Sequence, residues 1–128
     1  MSERDKRRNE ANGIERCRKL VFIAAAAKLA EKNGGEICGE PFAVFTSEMA
    51  KSLLKQTFSL GRFIDFVVSY EERGRIKYSV LESVGGDEIV LLEPEGRFES
   101  TIPLDLFMKD WKKADNWIMM VRKERSGI

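Results

Sequence analysis

The chain has 128 residues, 43% hydrophobic and 34% charged, with a net charge of +1 and no histidine. That length and composition fit one globular domain, 1–128, able to bury a real core; they exclude a disordered chain and a strong overall field for nucleic acid or anionic membrane. Without histidine, the usual base of serine and cysteine nucleophiles and the commonest metal ligand are missing.

Residues 1–13 are charged and read either as a flexible N-terminal extension or as an early start to the first helix. From Ile14 to Lys32, the apolar positions Ile14, Cys17, Leu20, Val21, Ala24, Ala27 and Leu29 or Ala30 follow helical spacing, and Asn33-Gly34-Gly35 stops the helix. The eight-residue apolar run from Leu20 to Ala27 is too short to span a bilayer. It also continues into Lys28-Leu29-Ala30-Glu31 and follows a segment with four acids, unlike a cleaved signal.

Residues 36–45 contain Gly39 and Pro41 and read as a connector. Thr46 or Ser47 then caps a second helix with Glu48 in its first turn; Met49, Ala50, Leu53, Leu54, Thr57 and Phe58 form one face, and Gly61 ends it. At Phe63 the period changes to two. Ile64, Phe66, Val68 and Tyr70 alternate with Asp65, Val67 and Ser69, a strand with one wetter face. Arg73-Gly74 turns the chain into a second strand carrying Ile76, Tyr78, Val80 and Val84. Gly85-Gly86-Asp87 turns it again into Ile89–Leu92, closing an antiparallel meander. Glu93-Pro94-Glu95-Gly96 is a turn, Phe98–Ile102 a short strand, and Pro103 starts a helix whose stripe is Leu104, Phe107, Met108 and Trp111. Trp117–Val121 is a closing strand. The predicted class is α+β, with N-terminal helices packed on an antiparallel sheet.

Few residues carry chemistry. Cys17, beside Arg16, Arg18 and Lys19, is one candidate nucleophile; its place on the apolar stripe makes it a small buried hydrophobe. Cys38 sits in a glycine-containing loop with no imidazole to activate it. Two cysteines without a Cys-x-x-Cys pair point to reduced thiols in a cytoplasmic protein. Asp87, Glu88, Glu93, Glu95 and Glu99 lack calcium-loop spacing and read as solvated turn charge, so neither metal nor cofactor is expected. Arg4, Lys6, Arg7, Arg8, Arg16, Arg18 and Lys19 could meet phosphates, but no interleaved aromatics offer stacking. The glycine pairs lack phosphate-loop fingerprints. A single glutamine, Gln56, among so many charges is a bias found in proteins from hot environments.

From Ile76 to Val121 the residue order resembles the C-terminal half of the bacteriocin-processing cysteine peptidases, papain-like domains attached to bacteriocin exporters. Lys77-Tyr78-Ser79-Val80-Leu81 is similar to the strand that opens with that family's catalytic histidine. Ile89-Val90-Leu91-Leu92-Glu93-Pro94-Glu95-Gly96 is similar to its strand ending in Asp-Pro, and Phe107 and Trp111 match an aromatic pair on its next helix. The resemblance implies a papain-like architecture in which Cys17, Lys77 and Glu93 are degenerate catalytic positions: lysine stands for histidine, glutamate for aspartate, and the Gln and Cys-Gly motifs are absent. An ammonium cannot act as imidazole does at neutral pH. The implied function is a non-catalytic domain that binds a peptide or protein partner through Lys77, Tyr78 and Glu93, with a homodimer allowed. The alternative is a small nucleic-acid-associated protein using the basic N-terminal residues. The family reading further expects Lys77 and Glu93 to meet in a cleft facing the first helix.

Overall fold

The computed structural model describes residues 3–33, 42–60, 64–95 and 97–122; the notable sequence features at Gly34-Gly35, Cys38, Gly39, Pro41, Gly61, Phe63 and Gly96 lie outside them. The elements in chain order are α1 (Glu3–Lys32), β1 (Phe42–Phe45), α2 (Ser47–Leu60), β2 (Ile64–Glu72), β3 (Arg75–Val84), β4 (Glu88–Leu92), β5 (Glu99–Pro103), α3 (Leu104–Lys112) and β6 (Ile118–Arg122). All strands join one antiparallel sheet in the order β1-β6-β2-β3-β4-β5. No helix among the described residues is long and apolar enough to cross a membrane.

The predicted meander is present as β2-β3-β4, and β5 extends it. Two expectations change. Phe42–Phe45, read as connector, is β1, an edge strand paired with β6 in the register Phe42↔Val121 to Phe45↔Ile118. Four residues beside a proline give too short a period to recognise locally; the partner strand makes the element. Correspondingly β6 does not close the sheet at an edge but lies between β1 and β2, the latter pairing in the register Ile64↔Arg122 to Val68↔Ile118.

The helices cover both faces of the sheet. On one, Cys17, Leu20, Ala24 and Ala27 of α1 pack against Val67, Val80, Trp117, Met119 and Val121. On the other, Ala50 and Leu54 of α2 and Phe107 and Trp111 of α3 pack against Phe66, Val68, Tyr70, Ile89, Leu91 and Ile118. The face of β2 that looked wetter is therefore buried: Asp65 is 6% exposed and Val67 and Ser69 are 0% exposed, all beneath α1. A sheet covered on both sides requires its polar residues to be satisfied by the covering helix, and α1 does so. Arg16 pairs with Asp65, and Lys28 Nζ donates to Ser69 Oγ at 3.0 Å. Trp117 Nε1 donates to Glu31 Oε2 at 3.0 Å.

Alanines at the contact let α1 lie close to the strands, while its apolar run wraps around the helix and leaves Phe22 75% and Leu29 61% exposed. Of the alternatives Leu29 and Ala30, it is Leu29 that faces outward. In α2, Met49 is also corrected: it is 65% exposed, because the buried stripe runs through Ala50 and Leu54. Pro103 ends β5 and caps α3 instead of occupying its first turn.

The β2-β3 hairpin has a two-residue loop, since Glu72 pairs with Arg75 and both Arg73 (φ 52) and Gly74 (φ 77) are left-handed. This is the turn whose twist matches the strands, and asparagine suits its first position better than arginine. Arg73→Asn should raise stability by about 0.5 kcal/mol, whereas Gly74→Ala should lower it by about 1 kcal/mol through backbone strain alone. Thermal melts of the two variants should move in opposite directions.

Candidate functional site

Three of the residues singled out by the family resemblance, Lys77, Tyr78 and Glu93, border one cleft at an end of the sheet. Val21 of α1, Ile76, Lys77 and Tyr78 of β3, and Glu93, Pro94 and Glu95 after β4 line a cleft of about 230 Å³. That volume accommodates one or two amino-acid side chains and is below the usual range for small-molecule or cofactor sites. Ile76, 44% exposed, supplies an apolar wall, with the half-buried Tyr78 beside it. Tyr78 is fixed from behind by edge-to-face contact with Trp117 (6.1 Å) and by the Lys28 ammonium 5.9 Å from its ring centroid.

Lys77 and Glu93 both border this cleft, but they do not meet there facing the first helix as expected. Their side chains lie with Tyr70 on the sheet face covered by α2 and α3, away from α1, and the charges are paired differently from the simple ion pair. Strand alternation puts Glu72, Tyr70, Lys77 and Ser79 on one face, across the Tyr70↔Lys77 and Val68↔Ser79 pairs. Lys77 Nζ bonds Glu72 Oε2 at 2.9 Å, and that bond raises the lysine's pKa; the more distant Glu93 adds to it. Lys77 is thus held more firmly as an ammonium, the opposite of what a general base needs. Glu93 is held by neutral donors. Its Oε1 accepts from the Tyr70 hydroxyl; Ser79 Oγ, with one proton, lies 3.1 Å from the Tyr70 oxygen and 3.4 Å from Oε1 and shares that proton between them. Burial, followed by the hydrogen bond to Glu93, pushes the Tyr70 phenol well up, so it stays protonated as the donor.

Cys17 borders the same region, but its chemistry is closed. The thiol is 2% exposed and its Sγ donates to the Leu92 carbonyl at 3.3 Å. Burial raises its pKa from 9.0 to about 11, outweighing Arg16 beside it. Position 17 also lies well inside α1, where no orphan N–H groups or positive helix end can stabilise a thiolate.

Sequence spacing gave no sign of one pair that resembles a hydrolase nucleophile and base: Ser69 with Lys28, whose pKa is lowered by burial. Ser69 is 0% exposed in a central strand between β3 and β6, so no acyl group can reach it. The pair docks α1. Its members lie 41 positions apart, and only the fold brings them together.

The remaining candidates disperse. Arg4, Lys6, Arg7 and Arg8 lie on α1, with side chains outside those described; Arg16 is engaged by Asp65; Arg18 and Lys19 are exposed. Asp87, Glu88 and Glu99 are exposed, as is Glu95, which borders the cleft with the partly buried Glu93. Among the described residues no group of three or more acids and cysteines is placed to hold a metal ion. No protein-family model matches the chain, and no curated protein and no solved structure matches it significantly.

Proposed function

We propose that this is a non-catalytic domain of papain-like, peptidase-related ancestry that binds a peptide or protein partner in the cleft between α1 and β3. The observation that carries the reading is the recess lined by Val21, Ile76, Tyr78 and Pro94. Beside it the degenerate positions are split by the sheet, Cys17 on the α1 face and Lys77 and Glu93 with Tyr70 on the face covered by α2 and α3, each in a state unsuited to turnover. The thiol is buried and protonated, the ammonium is tied to Glu72, and the carboxylate is occupied by Tyr70 and Ser79. What is left is a recess with an apolar wall and fixed polar groups, a form suited to side-chain recognition.

Selection of random 12-residue peptides on the immobilised protein tests this. Ile76 is on the surface, so Ile76→Glu should fold while losing at least about tenfold in affinity for the selected peptides. Peptides that bind wild type and this variant alike, or selection that enriches none, would overturn the proposal. Cleavage of a selected peptide by the purified protein would overturn its non-catalytic part.

A further inference from the structure

From Leu20 to Ala30 the sequence of α1 is apolar on every side except at Lys28. A helix that is apolar all round is one that is covered all round. The sheet covers one side, through Leu20, Ala24 and Ala27. The opposite side carries Phe22, 75% exposed, and Leu29, 61% exposed, which fall on one line along the helix with the half-buried Ala25 and the exposed Ala26 between them. Two large side chains separated by alanines form a saddle in which the ridge of a second helix can lie. Neither Phe22 nor Leu29 lines the cleft.

The ends of this stripe are positive. Arg18, a turn before Phe22, and Lys32, about a turn after Leu29, are exposed; Glu31 accepts from Trp117 Nε1 on the sheet side, and Glu15 stands a further turn away beyond Arg18. Pairing with a second copy brings like charges together in either direction. Parallel helices would set each of these cations against the same residue of the copy, and antiparallel ones would set Arg18 against the lysine at the other end. A helix with acids flanking its apolar stripe meets opposite charge at both ends instead. A saddle between two side chains also fits a rod and not the plane of a lipid surface.

We infer that the outer face of α1, from Arg18 to Lys32, is a docking surface for an amphipathic helix of another protein whose apolar stripe is flanked by acidic residues. The inference is independent of the cleft reading and adds a second surface on the same helix.

Three stapled helical peptides test it against the intact isotope-labelled protein. They share leucines at i, i+3, i+4 and i+7 and carry glutamate, glutamine or lysine at the positions flanking that stripe. The glutamate peptide should shift the backbone amide signals of Phe22, Ala26 and Leu29. It should bind at least about tenfold more tightly than the lysine peptide, with glutamine between, and this advantage should shrink as salt is raised. Phe22→Ser changes an exposed side chain and should fold while losing at least about tenfold in affinity for the glutamate peptide. Arg18→Glu combined with Lys32→Glu should invert the order and make the lysine peptide the tightest. Equal binding of the three peptides, or shifts confined to Ile76 and Tyr78 of the cleft, would overturn the inference. So would a dimer in sedimentation that Phe22→Ser abolishes, or binding to phosphatidylcholine–phosphatidylglycerol vesicles that the same variant loses, because each gives the stripe a different occupant.

Discussion

Trp111→Ala should lower the stability of the protein by about 3 to 5 kcal/mol, a large part of the total for a domain of this size. Trp111 is 0% exposed, stacks on Phe107 at a centroid distance of 5.6 Å, and donates from Nε1 to the Trp117 carbonyl at 2.8 Å. It thus joins α3 to the start of β6 while filling the core over β2. Its removal leaves a cavity that rigid neighbours on the sheet cannot close. At about 4 °C per kcal/mol, the melting midpoint should fall by roughly 12 to 20 °C. Trp111→Phe retains most of the packing, and the Trp117 carbonyl keeps its bond from the Ser69 amide at 3.3 Å. That variant should lose only about 1 to 2 kcal/mol. Comparable melts for the two variants would contradict the placement of the indole.

A second result concerns Cys17 and separates recognition from catalysis. In a Cys38→Ala background, native Cys17 should react with iodoacetamide at pH 7.5 at least about a hundredfold more slowly than the same thiol in urea. The raised pKa alone removes thiolate by about that factor, and burial blocks approach. The same shift has a pH signature. The thiol's folded pKa lies above its unfolded value, so its contribution to stability is complete below pH 9.0 and is lost as pH rises through about 11. Chemical denaturation across that window should show a loss of roughly 2 to 3 kcal/mol that Cys17→Ala flattens. Tyr70 and Lys77, whose pKa values are also raised, add to the alkaline loss, while Lys28, shifted down, acts against it; the variant comparison isolates the thiol. Fast labelling of the native protein would restore the cysteine as a nucleophile and remove the basis for a binding domain.

Much of the local architecture was legible because periodicity records burial. The stripe Leu104, Phe107, Met108 and Trp111 predicts α3, and alternation from Ile64 to Tyr70 predicts β2. Arg73-Gly74 marks the hairpin because few residues tolerate two successive left-handed positions. Cys17 is buried as its place on the helical stripe implies. The period of an element says which residues share a face, but not what covers each face. Asp65 and Ser69 look like a solvated side of β2 until α1 is laid over them, with Arg16 and Lys28 arriving from 49 and 41 positions away.

The same distinction governs the cleft. Lys77, Tyr78 and Glu93 can be picked out along the chain from residue order, and the absence of imidazole is a property of composition. Which carboxylate claims the Lys77 ammonium depends on β2 and β3 meeting in a particular register, which sets Glu72 diagonally across from it. Tyr70 and Ser79 become the holders of Glu93 through β3-β4 pairing and a shared strand face. Side-chain chemistry and element type are local properties of the chain and can be read along it. Partnership and desolvation are decided by strand order, register and the helix layers, because they depend on distances that exist only once the chain has folded.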